Sequence, residues 1–166
     1  MPLVGHTERK SQGLSMHTTI KRKNEKKPES IYLIGSLRNP EILKITKKFK
    51  NKGYDVFSDW LSAGPEADDY LRDYYRELGL TYKEVLQSYA ARHIFDFDHY
   101  HLDRCDKAIM VMPAGKSGHL ELGYMIGSGK PGYILMDGEP ERVDIMHQFA
   151  TKIFMSQEEM FDYFKD

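Results

Sequence analysis

The sequence predicts an α/β protein with a parallel sheet of four or five strands and helices on both faces. Short, uniformly apolar runs alternate with longer segments of helical periodicity, and glycine or a small-residue turn follows several of the runs. Such alternation requires crossover connections, which make neighbouring strands parallel and place helices over the sheet. A length of 166 residues, with 40% hydrophobic and 30% charged residues, fits one soluble domain of this class.

The pattern predicts the individual elements in order. Strands are expected over residues 31–35, 54–58, 107–112 and 132–136. Helices are expected over residues 40–52, 83–104, 117–128, 140–150 and 156–165. The first helix has Pro40 in its first turn and ends before Gly53, which are typical start and stop residues.

One connection is unusually long. Nearly fifty residues separate the second strand from the third, whereas a crossover needs roughly a dozen or more. We therefore expect an insertion at about residues 60–100, and insertions at the carboxyl end of a strand commonly build a substrate pocket. The insertion contains four aromatic residues, Trp60, Tyr70, Tyr74 and Tyr75. We expect them either to stack on a flat ring of the ligand or to pack the insertion onto the sheet.

Charge divides the chain into a tail and a body. Residues 1–30 carry seven Lys or Arg and three Glu, a net charge of +4, so the chain total of −1 leaves −5 on residues 31–166. The tail lacks apolar periodicity and is predicted to be disordered. A solvated tail or a leader is favoured over a nucleic-acid arm, because the acidic body offers no second basic patch.

Other classes are excluded by simple counts. No apolar run approaches the roughly 20 residues that span a membrane, and the first thirty residues have no secretory apolar core. The single cysteine, Cys105, cannot form an internal disulfide framework. We expect a cytoplasmic protein that has no membrane or nucleic-acid partner.

A carboxylate stands at the most informative position. The apolar run 108–112 leads through the turn 113–115 into a helix start that carries Ser117, Gly118, His119 and Glu121. Ligands of open α/β sheets bind at such strand ends, where backbone N–H groups can hold an anion or a hydroxyl. By itself, Glu121 is equally well explained as an acid stabilised by the helix dipole.

A second junction has the composition of a phosphate seat. Gly35 permits close backbone approach, Ser36 supplies a hydroxyl and Arg38 can bind phosphate with two N–H groups. The alternative is a plain junction with Ser36 and Asn39 as capping residues. Neither G-x-G-x-x-G nor a P-loop is present, so no cofactor is predicted.

Metal binding is not predicted either. Histidines and aspartates are dense in one predicted helix: His93, Asp96, Asp98, His99, His101 and Asp103. Their angles around the helix are mixed and no closed ligand set matches, and the same holds for His119.

Three segments together resemble the nucleoside 2-deoxyribosyltransferase superfamily, which includes the 2′-deoxynucleoside 5′-phosphate N-hydrolases. They are residues 31–38 (IYLIGSLR), 103–111 (DRCDKAIMV) and 118–124 (GHLELGY), the last followed by 127–131 (GSGKP). The resemblance runs from about Ile31 to the C-terminus. It implies a Rossmann-like (flavodoxin-like) fold and a homodimer or larger homo-oligomer.

The resemblance also implies roles. Glu121 aligns with the nucleophile that attacks C1′ of the sugar, Tyr32 with the tyrosine that orients it, and Asp106 with an aspartate that contacts the nucleoside and assists base departure. Ser36 and Arg38 look like the 5′-phosphate contacts of the nucleotide hydrolases.

Several positions depart from the family pattern. Trp60 stands where those hydrolases carry a histidine, and it can stack but cannot transfer a proton. Asp59 or Asp106 would then supply the acid. Lys116 and Ser117 are offset from the hydrolases' phosphate-binding serine. No side chain in 144–147 clearly matches the one that family members lend to a neighbouring subunit.

The sequence thus predicts cleavage of the N-glycosidic bond of a nucleoside 5′-monophosphate or nucleoside through Glu121. Base exchange is the alternative within this class, and NAD cleavage at the nicotinamide bond uses similar chemistry. A non-catalytic nucleotide-binding module would need the phosphate seat but not Glu121.

Overall fold

A computed structural model describes residues 27–165 of the chain. The strands are β1 (Ser30–Ile34), β2 (Asp55–Phe57), β3 (Lys107–Val111), β4 (Gly132–Leu135) and β5 (Lys152–Phe154). The α-helices are α1 (Glu41–Asn51), α2 (Ala67–Glu77), α3 (Tyr82–Gln87), α4 (Tyr89–Arg104), α5 (Lys116–Gly127) and α6 (Gln157–Tyr163). Short 3₁₀ turns cover Asp59–Ala63 and Ile145–Phe149.

All five strands form one parallel sheet in the order β2-β1-β3-β4-β5. This is the flavodoxin-like order, so the predicted fold class is confirmed. The chain leaves β1 towards one edge of the sheet and returns to build the other half from β3. The switch point therefore lies between β1 and β3, where a crevice opens at the carboxyl ends of the two strands.

The core has two layers, one on each face of the sheet. On one face, α1 and α6 bury residues such as Ile42, Phe49 and Met160. On the other face, α4 and α5 bury Leu102 and Met125 against the sheet. Successive strand residues point to opposite faces, which is why the strands are apolar throughout.

The predicted helix over 83–104 is instead two helices that meet at Ser88. Ser88 has an extended backbone (φ −66°, ψ 156°), which ends α3. Its Oγ accepts a hydrogen bond from the Ala91 N–H and caps α4. Tyr75 Oη donates to the same Oγ at 2.6 Å, so the break is tied to α2.

Two further segments differ from prediction. Residues 140–150 form only the short 3₁₀ turn, because Asp144 and Ala150 are extended on either side of it. Helix α2 was not predicted; only Tyr75 is buried along its length, and most of its residues are charged.

Most of the predicted basic tail lies outside the described residues. Among the helices of the described part, none has both the length and the apolar character needed to cross a membrane.

Candidate active site

A large cavity opens at the switch point between β1 and β3. Its volume is about 1290 Å³, and it is lined by residues 35–38 after β1, by the segment from Asp59 through α2, by α4 and by the first turns of α5. A drug-sized ligand site measures roughly 300–1,000 Å³, so this cavity has room for a ligand with several chemical parts. The insertion therefore forms one wall of the site.

Glu121 and Tyr32 form the innermost pair. The Tyr32 Oη donates to Glu121 Oε1 at 3.5 Å, and the tyrosine is only 1% exposed because β1 is buried on both faces. Burial and the nearby charge of Asp98 raise the pKa of Glu121 to about 7, although the Tyr32 hydrogen bond lowers it. Burial and the Glu121 charge raise the pKa of Tyr32 above its usual range, so it remains a phenol that donates.

Asp98 is a second acid in the same cavity, and like Glu121 it is partly buried. It lies on α4 and lines the wall that faces Glu121. Its Oδ1 is buried and has no hydrogen-bond partner among residues 27–165. Burial raises the pKa of Asp98 to about 6.

Sequence reasoning considered Asp98 only as a metal ligand. A usable signal was present: Asp98 stands four residues after Ile94 and four before Leu102. That spacing places a carboxyl on the inward face of the helix, and Ile94 lines the cavity while Leu102 is buried.

Asp106 requires a correction, because it does not share a neighbourhood with Glu121. It precedes β3, at the amino end of the strand, whereas the cavity lies at the carboxyl ends. Its Oδ2 accepts hydrogen bonds from the Ser30 N–H at 2.8 Å and the Ser30 Oγ at 2.7 Å. These bonds hold the pKa of Asp106 below its usual value, and they tie the start of β3 to β1.

Gly35, Ser36 and Arg38 lie together at the mouth of the cavity. The Arg38 backbone N–H donates to Ser36 Oγ at 3.2 Å. The Arg38 guanidinium forms an ion pair with Asp69 of α2, with both side chains partly exposed. A Cβ on Gly35 would lie 2.6 Å from Ile42 Cδ1, so this glycine also lets α1 pack closely.

The junction also has the expected capping contact. Asn39 Oδ1 accepts a hydrogen bond from the Glu41 N–H at the start of α1. Asn39 therefore caps α1, while Ser36 and Arg38 line the cavity. The two interpretations of this junction are compatible.

Asp59 and Trp60 line the cavity directly after β2. Trp60 Nε1 donates to the Leu33 carbonyl at 2.8 Å, which fixes the indole across the end of β1. Of the tyrosines in the insertion, Tyr70 and Tyr74 reach the cavity, whereas Tyr75 is buried and packs α2.

At the start of α5, Ser117 and Gly118 line the cavity but His119 does not. A Cβ on Gly118 would lie 2.8 Å from Ile34 Cγ2, so the missing side chain lets the helix approach β1. His119 precedes Glu121 by two residues, roughly 200° around the helix, and it faces His147 instead. His119 was predicted to contact the substrate, but it does not line the cavity.

Fold and site together define a flavodoxin-like α/β protein with two partly buried carboxyl groups at its switch point. No protein-family model and no curated protein sequence matches the chain. Solved structures do match. One is a 2-deoxyribosyltransferase from Bacillus psychrosaccharolyticus, with 21% identity, a TM-score of 0.54 and coverage of 81% of this chain and 91% of that one.

Another similar structure is the CMP N-glycosidase BcmB from Clostridium botulinum. It has 15% identity and a TM-score of 0.50, with coverage of 82% of this chain and 98% of that one. At these identities the likeness establishes the fold, which agrees with the fold implied by the sequence resemblance.

Proposed function

We propose that the protein cleaves the N-glycosidic bond of a nucleoside 5′-monophosphate or nucleoside, with Glu121 as nucleophile. The observation that carries the proposal is the pair of partly buried acids, Glu121 and Asp98, beside a phenol donor at the switch point. The folds of a deoxyribosyltransferase and a CMP N-glycosidase support the same class of chemistry.

The two acids supply the two functions that this reaction needs. Cleavage develops positive charge at C1′, which a carboxylate can capture, and the base leaves more easily when it receives a proton. The pKa values of about 7 and about 6 mean that the pair holds roughly one proton near neutral pH. In the empty site the higher pKa of Glu121 places this proton on Glu121. In our proposal the proton passes to Asp98 before the first step, which leaves Glu121 as the carboxylate and Asp98 as the acid.

In the proposed first step, a Glu121 oxygen bonds to C1′ while the C1′–N bond breaks and its electrons pass to the base. The proton of Asp98 goes to the departing base. Tyr32 Oη donates to the second Glu121 oxygen and fixes the attacking carboxylate. In the second step, water attacks C1′, its proton passes to Asp98, and the Glu121 carboxylate is released.

The remaining residues bind the substrate in this proposal. Trp60 stacks on the base, and Asp59 contacts it from the same strand end. Ser36 and Arg38 hold the 5′-phosphate, which displaces Asp69 from the guanidinium. Ser117 and the backbone at Gly118 close the wall beside the sugar.

Release of free base from a panel of ribo- and deoxynucleosides, their monophosphates and NAD tests the proposal. We expect Glu121→Ala to lower turnover on the order of 10⁴-fold or more, with substrate binding largely kept. Leu120→Ala, an exposed neighbour on α5, should leave turnover unchanged. Wild-type protein that releases no base from any compound would contradict the proposal.

A second variant pair tests the acid. Asp98→Asn should lower turnover about 10²- to 10⁴-fold, whereas Asp96→Asn, at an exposed position of the same helix, should not. Equal losses of turnover in the two variants would contradict the role of Asp98 as the acid.

Base exchange is tested in the same assay. An added labelled base that appears in a nucleoside product would assign transfer rather than hydrolysis as the second step. Binding of monophosphates without any release would instead assign a nucleotide-binding module.

A further inference from the structure

Two histidines and one aspartate meet outside the cavity, on elements that are distant in the sequence. His119 lies in the first turn of α5, while His147 lies in the 3₁₀ turn between β4 and β5 and Asp144 caps that turn. One ligand atom from each of the three lies within 4.8 Å of the other two. Nothing in the proposed reaction uses this cluster.

The tautomer of His119 is set by its neighbour. His119 Nδ1 lies 2.9 Å from the Gly115 carbonyl oxygen, and a carbonyl can only accept, so Nδ1 carries the hydrogen. Nε2 of the neutral ring then presents a lone pair to the cluster. Metal-binding histidines are commonly held in this way, with the second nitrogen bonded to a carbonyl or carboxylate.

The spacing of the two rings fits one shared ion. His119 Nε2 and His147 Nε2 are 3.4 Å apart. Two nitrogens bound to one tetrahedral zinc at about 2.0–2.1 Å lie roughly 3.3–3.4 Å apart. The two ring planes are inclined by 14° and their centroids are 5.6 Å apart.

Asp144 completes a three-residue donor set. Its Oδ1 accepts from the Met146 N–H, while Oδ2 lies 3.7 Å from His147 Nε2. The start of α5 carries the positive end of the helix dipole, which disfavours a cation, and the Asp144 charge offsets it. Two imidazoles and one carboxylate suit zinc and its transition-metal neighbours better than Mg²⁺ or Ca²⁺, which prefer oxygen.

We propose that His119, Asp144 and His147 bind one divalent transition-metal ion of the zinc class, with water at a fourth position. The ion would join α5, close to its first turn, to the β4–β5 connection. This inference is independent of the proposed function, because no reacting group is among the ligands.

Titration of untagged, EDTA-treated protein with Co²⁺, followed by Zn²⁺ competition, tests the site. We expect one Co²⁺ per chain, visible absorption of a four- or five-coordinate ion, and displacement by Zn²⁺. Zn²⁺ should also raise the Tm, because the ion binds the folded chain. His6 and His17, which lie outside the described residues, are replaced by Gln so that they do not contribute.

Substitutions of the ligands give the decisive comparison. His119→Gln and His147→Gln should each weaken Zn²⁺ binding about 10²-fold or more, since even outer partners of metal ligands contribute roughly 10- to 100-fold. Asp144→Asn should weaken it about tenfold. His99→Gln is the matched control, because His99 Nε2 bonds to Tyr124 on a different part of α5.

Unchanged affinity and spectrum in His147→Gln would overturn the proposal. So would failure of wild-type protein to bind Co²⁺ or Zn²⁺, and the two histidines would then share only an N–H···N hydrogen bond. The exposed Asp144 provides a variant that leaves the core intact. Equal Tm values of the metal-free variants verify that a lost Zn²⁺ response is not a loss of folding.

Discussion

At the scale of single residues, the site depends on two carboxyl groups whose burial reduces their stabilisation by solvent. Asp98 has a buried oxygen without a partner in residues 27–165, and Glu121 has one long hydrogen bond from Tyr32. Each charge raises the cost of the other, so a shared proton stabilises the empty site. In the proposed reaction, the positive charge that develops on the sugar would stabilise these carboxylates, which accept few hydrogen bonds from the protein.

Asp106 is predicted to contribute to stability and not to turnover. Asp106→Ala leaves the buried Ser30 N–H without its acceptor, so the free energy of unfolding should fall by about 1–2 kcal/mol. Denaturant unfolding measures this loss. Base release per folded molecule should stay at the wild-type value, and a drop in turnover without a drop in stability would contradict the assignment.

The pH dependence of this effect has a definite sign. The Ser30 bonds lower the pKa of Asp106 in the folded state. Its stabilisation is therefore present above the unfolded pKa of about 3.9 and disappears as pH falls through the lower folded pKa. The difference between wild type and Asp106→Ala should shrink over that acidic range, and Ser30→Ala should show the same trend.

The two aspartates show what the sequence could predict at this scale. Glu121, Tyr32, Ser36 and Arg38 were expected at the strand ends, and the structure brings them to one region because adjacent parallel strands share an edge. Asp106 was expected there too, but its position before β3 directs it to the opposite edge. Asp98 was considered only as a potential metal ligand, because the groups that lie near it, Tyr32 on β1 and Glu121 on α5, are distant in the sequence.

At the scale of elements, the position of α5 depends on Gly118. Gly118→Ala would bring a methyl group to within 2.8 Å of the branched Ile34 side chain. We expect a loss of about 1–3 kcal/mol in stability from this overpacking, together with lower turnover, because Glu121 would move with the helix.

Gly123 supplies the matched control on the same helix. A Cβ there would meet nothing within 4 Å, so Gly123→Ala should raise helix stability by up to about 1 kcal/mol without changing turnover. Thermal unfolding and base release measure both effects. Equal behaviour of the two alanine variants would show that the close approach at Gly118 is unimportant.

Helix α2 is predicted to compete with phosphate for Arg38. Asp69→Asn removes the ion pair with the guanidinium, which should lower the KM for monophosphates by up to about fivefold, since exposed ion pairs contribute roughly 0–1 kcal/mol. The KM for the corresponding nucleosides should not change. Asp73→Asn is the control, because Asp73 pairs with Arg72 and Arg76 instead.

Elements with a buried stripe were predictable, whereas α2 and the break between α3 and α4 were not. Four strands, α1 and α5 have continuous or periodic apolar residues, so their bounds agree with prediction to within a few residues. Helix α2 buries only Tyr75, and the break at Ser88 depends on a tertiary hydrogen bond. Neither property is visible in local periodicity.

At the scale of the whole molecule, the insertion is expected to open more readily than the rest. Helices α1 and α2 both contain 11 residues, but α1 buries four of them and α2 only one. Hydrogen exchange under native conditions should therefore be faster in α2 than in α1, because local opening of α2 exposes little apolar surface.

Mass spectrometry of peptides from the two helices measures this difference. The buried strands β1, β3 and β4 set the limit of slowest exchange. Exchange of α2 as slow as that of β3 would show that the insertion unfolds only together with the sheet.

The parallel order of the sheet could be predicted because alternation of strands and helices allows few topologies. The shape of the cavity wall could not be predicted, because it depends on how α2, α3 and α4 fold back over the carboxyl ends of the strands.

The long connection between β2 and β3 has an evolutionary consequence. Asp59 and Trp60 at its beginning and Asp98 near its end all line the cavity, while the residues of α3 between them include none that are buried. The middle of the connection can therefore accept replacement, shortening or extension while both ends keep their places. If the proposed function holds, a lineage could diversify the range of accepted bases there without rebuilding the two acids assigned to bond cleavage.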